Sequence, residues 1–247
     1  MLRSIDFGES DRVLHLLVPD AGRLTAIAKG ARRSVRRFAG TLDLFNHLRV
    51  GVERSRGGRM ARLDQAVLIR SFPPLRCDSA RFALGCYVLE LIGRLAPDGG
   101  VRADTERLFR FALGALDNIA RSRPDLRLRT LLELRALDAL GLRPELGRCV
   151  RCSRPADGPG ALGFHVADGG PVCRRCAARL EGLLPVHAGT LRALERGLRL
   201  DLDRLDRLVL PRRSLDEARE LLERFQRFHL GVELRSAPFL AQVLGSP

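Results

Sequence analysis

Tryptophan is absent from the 247 residues, tyrosine occurs once and methionine twice, and Lys29 is the only lysine. Nearly every aromatic stacking face on offer is therefore a phenylalanine, of which there are 11. Acid is also in short supply, with 29 acidic against 43 basic residues and a formal net charge of +14. No window approaches the roughly 18 apolar residues of a membrane span, since even the greasiest stretch, 82–93, contains Glu90. Residues 1–10 carry Asp6 and Glu9 and show no basic-then-apolar leader, so a cytoplasmic protein is expected. Repeats and low-complexity tracts are missing as well. No Ser-His-Asp arrangement, Walker loop or clustered pair of catalytic carboxylates stands out, and His15, His47, His187 and His229 are scattered among apolar neighbours. An enzyme is not expected.

A hydrophobic content of 45% with 29% charged residues is the balance of a globular chain that can bury a core. A basic excess this large in a folded chain points to a polyanionic partner, nucleic acid first. Its distribution is uneven. Residues 1–75 carry 14 basic and 7 acidic side chains, and 143–179 carry 7 and 3, whereas 76–142 and 180–247 are nearly balanced. The balanced stretches read as helical scaffold with mixed-charge outer faces.

Turn signals divide residues 2–70 into about five strands: Leu2–Phe7, Arg12–Val18, Arg23–Lys29, Leu42–Glu53 and Met60–Ile69, the last two joined by a glycine turn at Ser55–Arg59. Five short strands in this length predict a small barrel of the OB type. Pro73-Pro74 ends the strand region, because two fixed φ angles and two missing N–H groups cannot continue a ladder. Helices are expected at Ser79–Leu95, Asp104–Ile119, Leu126–Leu140, Thr190–Leu198, Ser214–Leu230 and Pro238–Leu244, with Ser214 to Glu217 at capping-box spacing. The fold class is thus α+β and multidomain. An OB-fold DNA-binding domain occupies 1–75, and a helical domain built from 76–142 and 180–247 carries a zinc-binding insertion at 143–179.

The most specific local signal is Cys149-x2-Cys152, twenty residues, then Cys173-x2-Cys176. Two knuckles of this kind bring four thiolates to one ion, and a site closed by four sulfurs has no open position for water, so a structural Zn2+ is expected. Iron would accept the same ligands, and a redox dithiol is the alternative use of each pair. A zinc deaminase is excluded, because it needs a His-x-Glu segment and His165 is followed by Val166-Ala167. A hairpin between the knuckles would leave His165 at the surface. Cys77 and Cys86 stand apart, with Cys86 on the apolar helix.

The second signal is the run from Lys29 to Arg37, in which Lys29, Arg32, Arg33, Arg36 and Arg37 supply five cations and no acid directly after a strand. Such a loop can straddle phosphates, and Phe7, Phe38, Phe45 and Phe72 offer stacking faces unless they serve the core. Arg148, Arg151, Arg154, Arg174, Arg175 and Arg179 crowd the knuckles; part of that charge offsets a four-thiolate centre and the rest is free for phosphate, with Arg151, Arg174 and Arg175 the further DNA-contacting candidates. The alternative, from another class, is a zinc-ribbon adaptor whose basic surface binds an acidic protein segment.

Several of these segments together resemble the RecO family of bacterial DNA repair and recombination mediators: Phe7 to Arg12, Gly22-Arg23-Leu24, Ala28 to Arg33, Arg37-Phe38, Leu42 to Phe45, then Gly141 to Cys152 and Gly169 to Cys173. The resemblance spans nearly the whole chain. It implies an N-terminal OB-fold, a helical domain and a zinc-binding segment. It also implies an activity without nucleotide cofactor: binding single- and double-stranded DNA, annealing complementary strands and, with RecR, assisting RecA loading onto DNA coated by SSB, whose acidic C-terminal tail is a further partner. By motif match Lys29, Arg32, Arg33 and Arg37 are the DNA-contacting candidates; Arg36 is carried on charge alone. Where members of that family have several more residues ahead of Leu2-Arg3, either the start site is misassigned or the barrel opens short.

Overall fold

Alternating burial along Leu14, Leu16 and Ala26, Ala28 sets one face of the first strands inward, the period-2 pattern of a half-buried sheet. The structure is a computed structural model that describes residues 1–34, 36–53, 60–99, 101–156, 160–231 and 233–245. It forms two compact units, residues 1–121 and 122–247. The expected turn at Ser55–Arg59 lies outside the described residues.

In the first unit, strands β1 (Arg3–Phe7), β2 (Asp11–Val18), β3 (Gly22–Ala28), β4 (His47–Glu53) and β5 (Ala61–Arg70) form a sheet in the order β1-β2-β3-β5-β4. β1, β2 and β3 are an antiparallel meander, β3 meets β5 in parallel at Ala26↔Ala61, and β5 returns antiparallel to β4. This is the OB-fold connectivity. Leu14, Leu16, Ala26, Ala28, Leu63 and Ala66 line its core together with Ala31, Phe38 and Leu42 from the segment between β3 and β4.

That segment departs from the expected strand, which was to begin at Leu42. Residues 42–46 turn instead, with Phe45 at φ +69° and fully buried; its ring stands edge-on to Phe82 at 5.6 Å. Apolar side chains here plug the base of a loop, and their alternation is not that of a ladder. Asn46, also buried, donates to Thr41 O at 2.8 Å and accepts from Arg76 at 2.6 Å.

After β5 come α1 (Pro74–Cys77), α2 (Ser79–Leu95) and α3 (Arg102–Arg121). Asp78 caps α2 by accepting from Arg81 N at 2.8 Å. The compact units do not divide at Pro73-Pro74, and the reason lies at the β2–β3 turn. There Arg23 N donates to Pro97 O and Gly99 N to Ala21 O, both at 2.9 Å, and Arg23 grips Asp98 through two nitrogens at 2.7 and 2.8 Å. Gly22 sits at φ +66°, where a Cβ would lie 2.3 Å from Pro97 O, so only glycine permits this seam. α2 and α3 therefore complete the first unit.

The second unit opens with α4 (Leu126–Ala139), capped by Asp125 and closed at Gly141, φ +75°, with Leu142 N bonding Leu137 O at 2.8 Å. A three-stranded antiparallel sheet, β7-β6-β8, follows from β6 (Ala161–His165), β7 (Gly170–Val172) and β8 (Leu184–His187), with α5 (Arg174–Ala177) between β7 and β8. The expected hairpin is present, and β8 adds a strand that four residues of sequence did not announce. Then come α6 (Ala188–Arg199), a 3-10 turn (Leu202–Arg207), α7 (Arg212–Leu230) and α8 (Ala237–Gly245).

Leu162 and Phe164 of β6 share one core with Leu134, Leu137, Leu191, Leu221 and Phe225 of the helices. The cysteine segment is thus part of this unit's core, being too small to bury one of its own. The capping box expected at Ser214 does not form. α7 starts two residues earlier, after Pro211, and Glu217 is drawn to the β8–α6 junction, where it accepts from His187 N at 3.0 Å and Thr190 Oγ1 at 2.6 Å. Among the described residues no helix is long and apolar enough to cross a membrane.

Candidate nucleic-acid interface and metal centre

The basic loop begins where β3 ends. Gly30, at φ +67°, turns the chain and donates its N–H to Asp11 Oδ1 at 2.8 Å, while Arg32 N donates to Ser10 O at 2.9 Å. Two strand-end contacts thus pin the loop to the β1–β2 turn. Ala31, Phe38 and Leu42 bury beneath it, and the charged side chains are left outside. The Gly30 N–H, aided by Ser10 and by the charge of Lys29, holds the Asp11 carboxyl below its ordinary range. The anchor is therefore ionised at neutral pH.

All five cations are exposed, but they are not equivalent. Arg37 reaches back to Lys29 O at 2.9 Å and lies 5.1 Å from the Phe38 ring centroid. Arg32 donates to Glu9 O at 3.2 Å and lies 3.5 Å from Asp6. These two brace the loop. Lys29, Arg33 and Arg36 form no ion pair with any described residue. Sequence reasoning, which ranked Arg36 last, could not see this division of labour.

Of the phenylalanines offered as stacking faces, Phe38, Phe45 and Phe72 are buried in the core and only Phe7, 56% exposed, is available to a base. Next to the loop, Arg3, Arg12 and the stretch Leu42 to Leu44 line an open cavity of about 490 Å³. Arg12 is paired with Asp6 at 3.2 Å, whereas Arg3 has no ion pair among the described residues. Arg3 is a candidate contact that the sequence reading missed; its only signal was an exposed position on the outermost strand.

The four knuckle cysteines do converge. The Sγ atoms of Cys149, Cys152, Cys173 and Cys176 all lie within 4.8 Å of one another, with Cys152 and Cys173 at 3.7 Å. Sulfurs bound tetrahedrally at about 2.3 Å would stand roughly 3.8 Å apart, so the cluster matches a four-thiolate ion site after small adjustments. Ser153, at φ +59°, turns the first knuckle back so that its N–H meets Cys149 O at 2.8 Å, and Cys149 N meets Arg154 O at 2.8 Å. Val150 N donates to Pro171 O at 3.0 Å, tying this knuckle to β7. Gly170 is required there, because a Cβ would lie 2.3 Å from Val150 Cγ1.

Burial works to raise the Cys149 thiol, yet the N–H groups of Cys173, Arg151 and Cys152 directed at its sulfur bring it down to about 6. The Cys176 thiol is pushed up to about 12, chiefly by its hydrogen bond with Cys173. One sulfur is thus prepared as an anion, and another holds a proton that an ion would displace. Four such groups could hold one metal ion.

At the knuckles Arg174 and Arg175 are exposed, while Arg151 is engaged with Asp168 at 2.6 Å. Asp168 also faces His165 Nδ1 at 2.8 Å, so His165 is half-buried and not a surface residue. Cys86 is half-buried on α2, where burial, followed by Glu90, raises its thiol to about 11; Cys77 is exposed. Gly158, Gly160 and Gly163 have the spacing of a dinucleotide loop. Gly158 lies outside the described residues, and Gly160 leads into strand β6 and not from a strand into a helix, the context that a dinucleotide loop requires.

Comparison with known proteins agrees with this layout. Residues 1–72 match the family model for the recombination protein O N terminal, and residues 76–238 match the model for the recombination protein O C terminal. Over 243 residues the chain is 40% identical to the DNA repair protein RecO of Anaeromyxobacter dehalogenans strain 2CP-C, covering 98% of this chain and 94% of that one. It is 36% identical over 247 residues to the Myxococcus xanthus protein of the same name, covering 98% and 95%. The corresponding protein of Pelobacter propionicus is 32% identical over 243 residues, covering 98% and 94%.

Proposed function

The chain belongs to the RecO family of DNA repair proteins, and from that premise we propose that it is a non-enzymatic recombination mediator. It binds single- and double-stranded DNA, anneals complementary strands and, with RecR, assists RecA in loading onto SSB-coated DNA, touching the acidic tail of SSB. It acts in the cytoplasm, at the nucleoid, and its four cysteines hold one structural Zn2+.

The observation that carries this reading is the set of cations Lys29, Arg33 and Arg36, without an ion pair among the described residues and held on the outside of a loop that Arg32, Arg37 and Asp11 keep in shape. Two DNA strands repel through their phosphates. A basic surface that holds both lowers that repulsion and raises their local concentration, so pairing accelerates without covalent chemistry. Phe7, exposed beside the loop, supplies one stacking face. Further phosphate contacts at Arg174 and Arg175, with Arg151, belong to the same reading.

The test is ATP-free annealing of complementary fluorescent oligonucleotides, with the salt dependence of binding measured alongside. The wild type accelerates annealing. In K29A/R33A/R36A the slope of log K against log salt on single strands flattens by roughly two units, at about 0.7 per phosphate contact. An unchanged slope removes DNA from this loop. A protein that neither binds nor anneals DNA at low salt, yet captures an acidic peptide, would be the zinc-ribbon adaptor instead.

A further inference from the structure

A cavity between the arginines near the four cysteines gives some of them a common place. An open cavity of about 320 Å³ is lined by Arg151, Arg175, Cys176, Arg179 and Leu180. Its cations are set in place by the ligand cysteines themselves. Arg151 lies between Cys149 and Cys152, and Arg175 between Cys173 and Cys176. Arg179 follows in a tight turn, its N–H bonding Cys176 O at 3.4 Å. Arg175 and Arg179 are exposed and form no ion pair among the described residues, whereas Arg151 is occupied by Asp168 at 2.6 Å.

We infer that this cavity is a second phosphate seat for single-stranded DNA, formed by Arg175 and Arg179 and conditional on the metal-binding fold of the knuckles, with Arg151 restrained by Asp168. The inference rests on the DNA-binding reading above and adds to it the pairing of Arg175 with Arg179 in one cavity, the restraint by Asp168 and a dependence on the knuckle fold. Three guanidiniums around a cavity of this size suit a phosphodiester, whose oxygens accept forked N–H pairs. The charge balance allows it. Residues 143–179 carry seven arginines against three acids, and four thiolates with a divalent ion would leave the centre doubly negative. A positive surplus remains after the acids and the centre are offset.

Asp168 supplies the sharpest lever. Its carboxylate meets Arg151 on one side and His165 Nδ1, at 2.8 Å, on the other. Asp168→Asn keeps the size of the side chain and removes the charge that occupies Arg151, so a phosphate can recruit that guanidinium as a third contact.

The experiment measures binding of a fluorescent dT30 oligonucleotide to the full-length protein across a salt series. In R175A/R179A the salt slope is expected to flatten by roughly 1.4 units, and in D168N to steepen by roughly 0.7. Chelation of the metal is expected to reproduce the loss seen in R175A/R179A and to erase the gain in D168N. Circular dichroism and zinc content show whether R175A/R179A is folded, and D168N tests the site by gain in any case. If R175A/R179A leaves the slope unchanged and D168N does not steepen it, the seat is overturned while DNA binding at the 29–37 loop stands. If the slope falls in R175A/R179A but metal removal leaves the wild type unaffected, the dependence on the knuckle fold is overturned. Wild-type protein that fails to bind dT30 at low salt overturns the DNA-binding reading and the seat together.

Discussion

The loop at 29–37 and the knuckles at 149–179 both gather arginine at the surface, but they hold it by different means. The loop is shaped by backbone hydrogen bonds: Gly30 N to Asp11, Arg32 N to Ser10 O and Arg37 to Lys29 O. It sits over the buried side chains of Ala31, Phe38 and Leu42. At the knuckles α5, which carries Arg174 and Arg175, has no buried residue and leans on four converging sulfurs. A cation cluster over an apolar base needs no cofactor. One on a four-residue helix does, because so short a helix is not stable by itself. Metal availability should therefore govern the second cluster and leave the first alone.

The largest expected effect comes from breaking that contrast directly. Stripping the metal, or replacing Cys149 and Cys173 with Ser, should destabilise the knuckles by several kcal/mol, since ion binding there is coupled to folding. Amide exchange across 145–180 is expected to accelerate while the loop's 30–32 amides keep their protection. Equal loss of protection in both regions would mean that they do not differ as argued.

Two glycines sharpen the comparison at smaller amplitude. Gly170→Ala places a Cβ 2.3 Å from Val150 Cγ1 and 2.9 Å from Glu145 Cβ, overpacking the contact that ties the first knuckle to β7. A cost of about 1–3 kcal/mol is expected in chemical denaturation, together with weakened zinc retention. Gly30→Ala meets nothing closer than 3.9 Å, and its only penalty is the left-handed backbone at φ +67°. About 1–2 kcal/mol follows, with zinc content unchanged. Zinc loss in Gly30→Ala, or its retention in Gly170→Ala, would contradict the assignment of these two supports.

How much of this was legible in sequence follows the range of the interaction. The cysteine spacing announced that four thiols would converge where they could hold one ion, and the period-2 and helical patterns placed β2, β3, α2 and α4 within two residues at each end. The limits of the first compact unit were not legible. They depend on Arg23 gripping Asp98 across 75 residues and on Gly22 packing against Pro97 O, and neither leaves a local mark. Glu217 looked like a capping partner of Ser214 until three donors at the β8–α6 junction claimed it. The loop was visible as a run of charge. Its division into braces and free cations was not, because Asp6 and the Glu9 carbonyl that occupy Arg32 lie on another strand and turn.

Acidity separates the two regions with the smallest signal at the loop. The Asp11 carboxyl is held below the ordinary value of 3.8 by the Gly30 N–H, by Ser10 and by the charge of Lys29. A depressed carboxylate stabilises the loop at every pH above 3.8, and that contribution is lost only as the pH falls through the lowered folded value. Oligonucleotide binding by the loop, measured in R175A/R179A to silence the knuckle side, should therefore change by less than about twofold between pH 8 and pH 5. The knuckles behave oppositely over the same interval. Protons compete with the ion for sulfur, so zinc affinity is expected to fall steadily as the pH is lowered, and DNA binding that depends on the knuckles should fall with it. Loop binding that weakened in parallel with zinc release would show that the two clusters share a support, and would remove the distinction between a surface held by hydrogen bonds and one held by a metal.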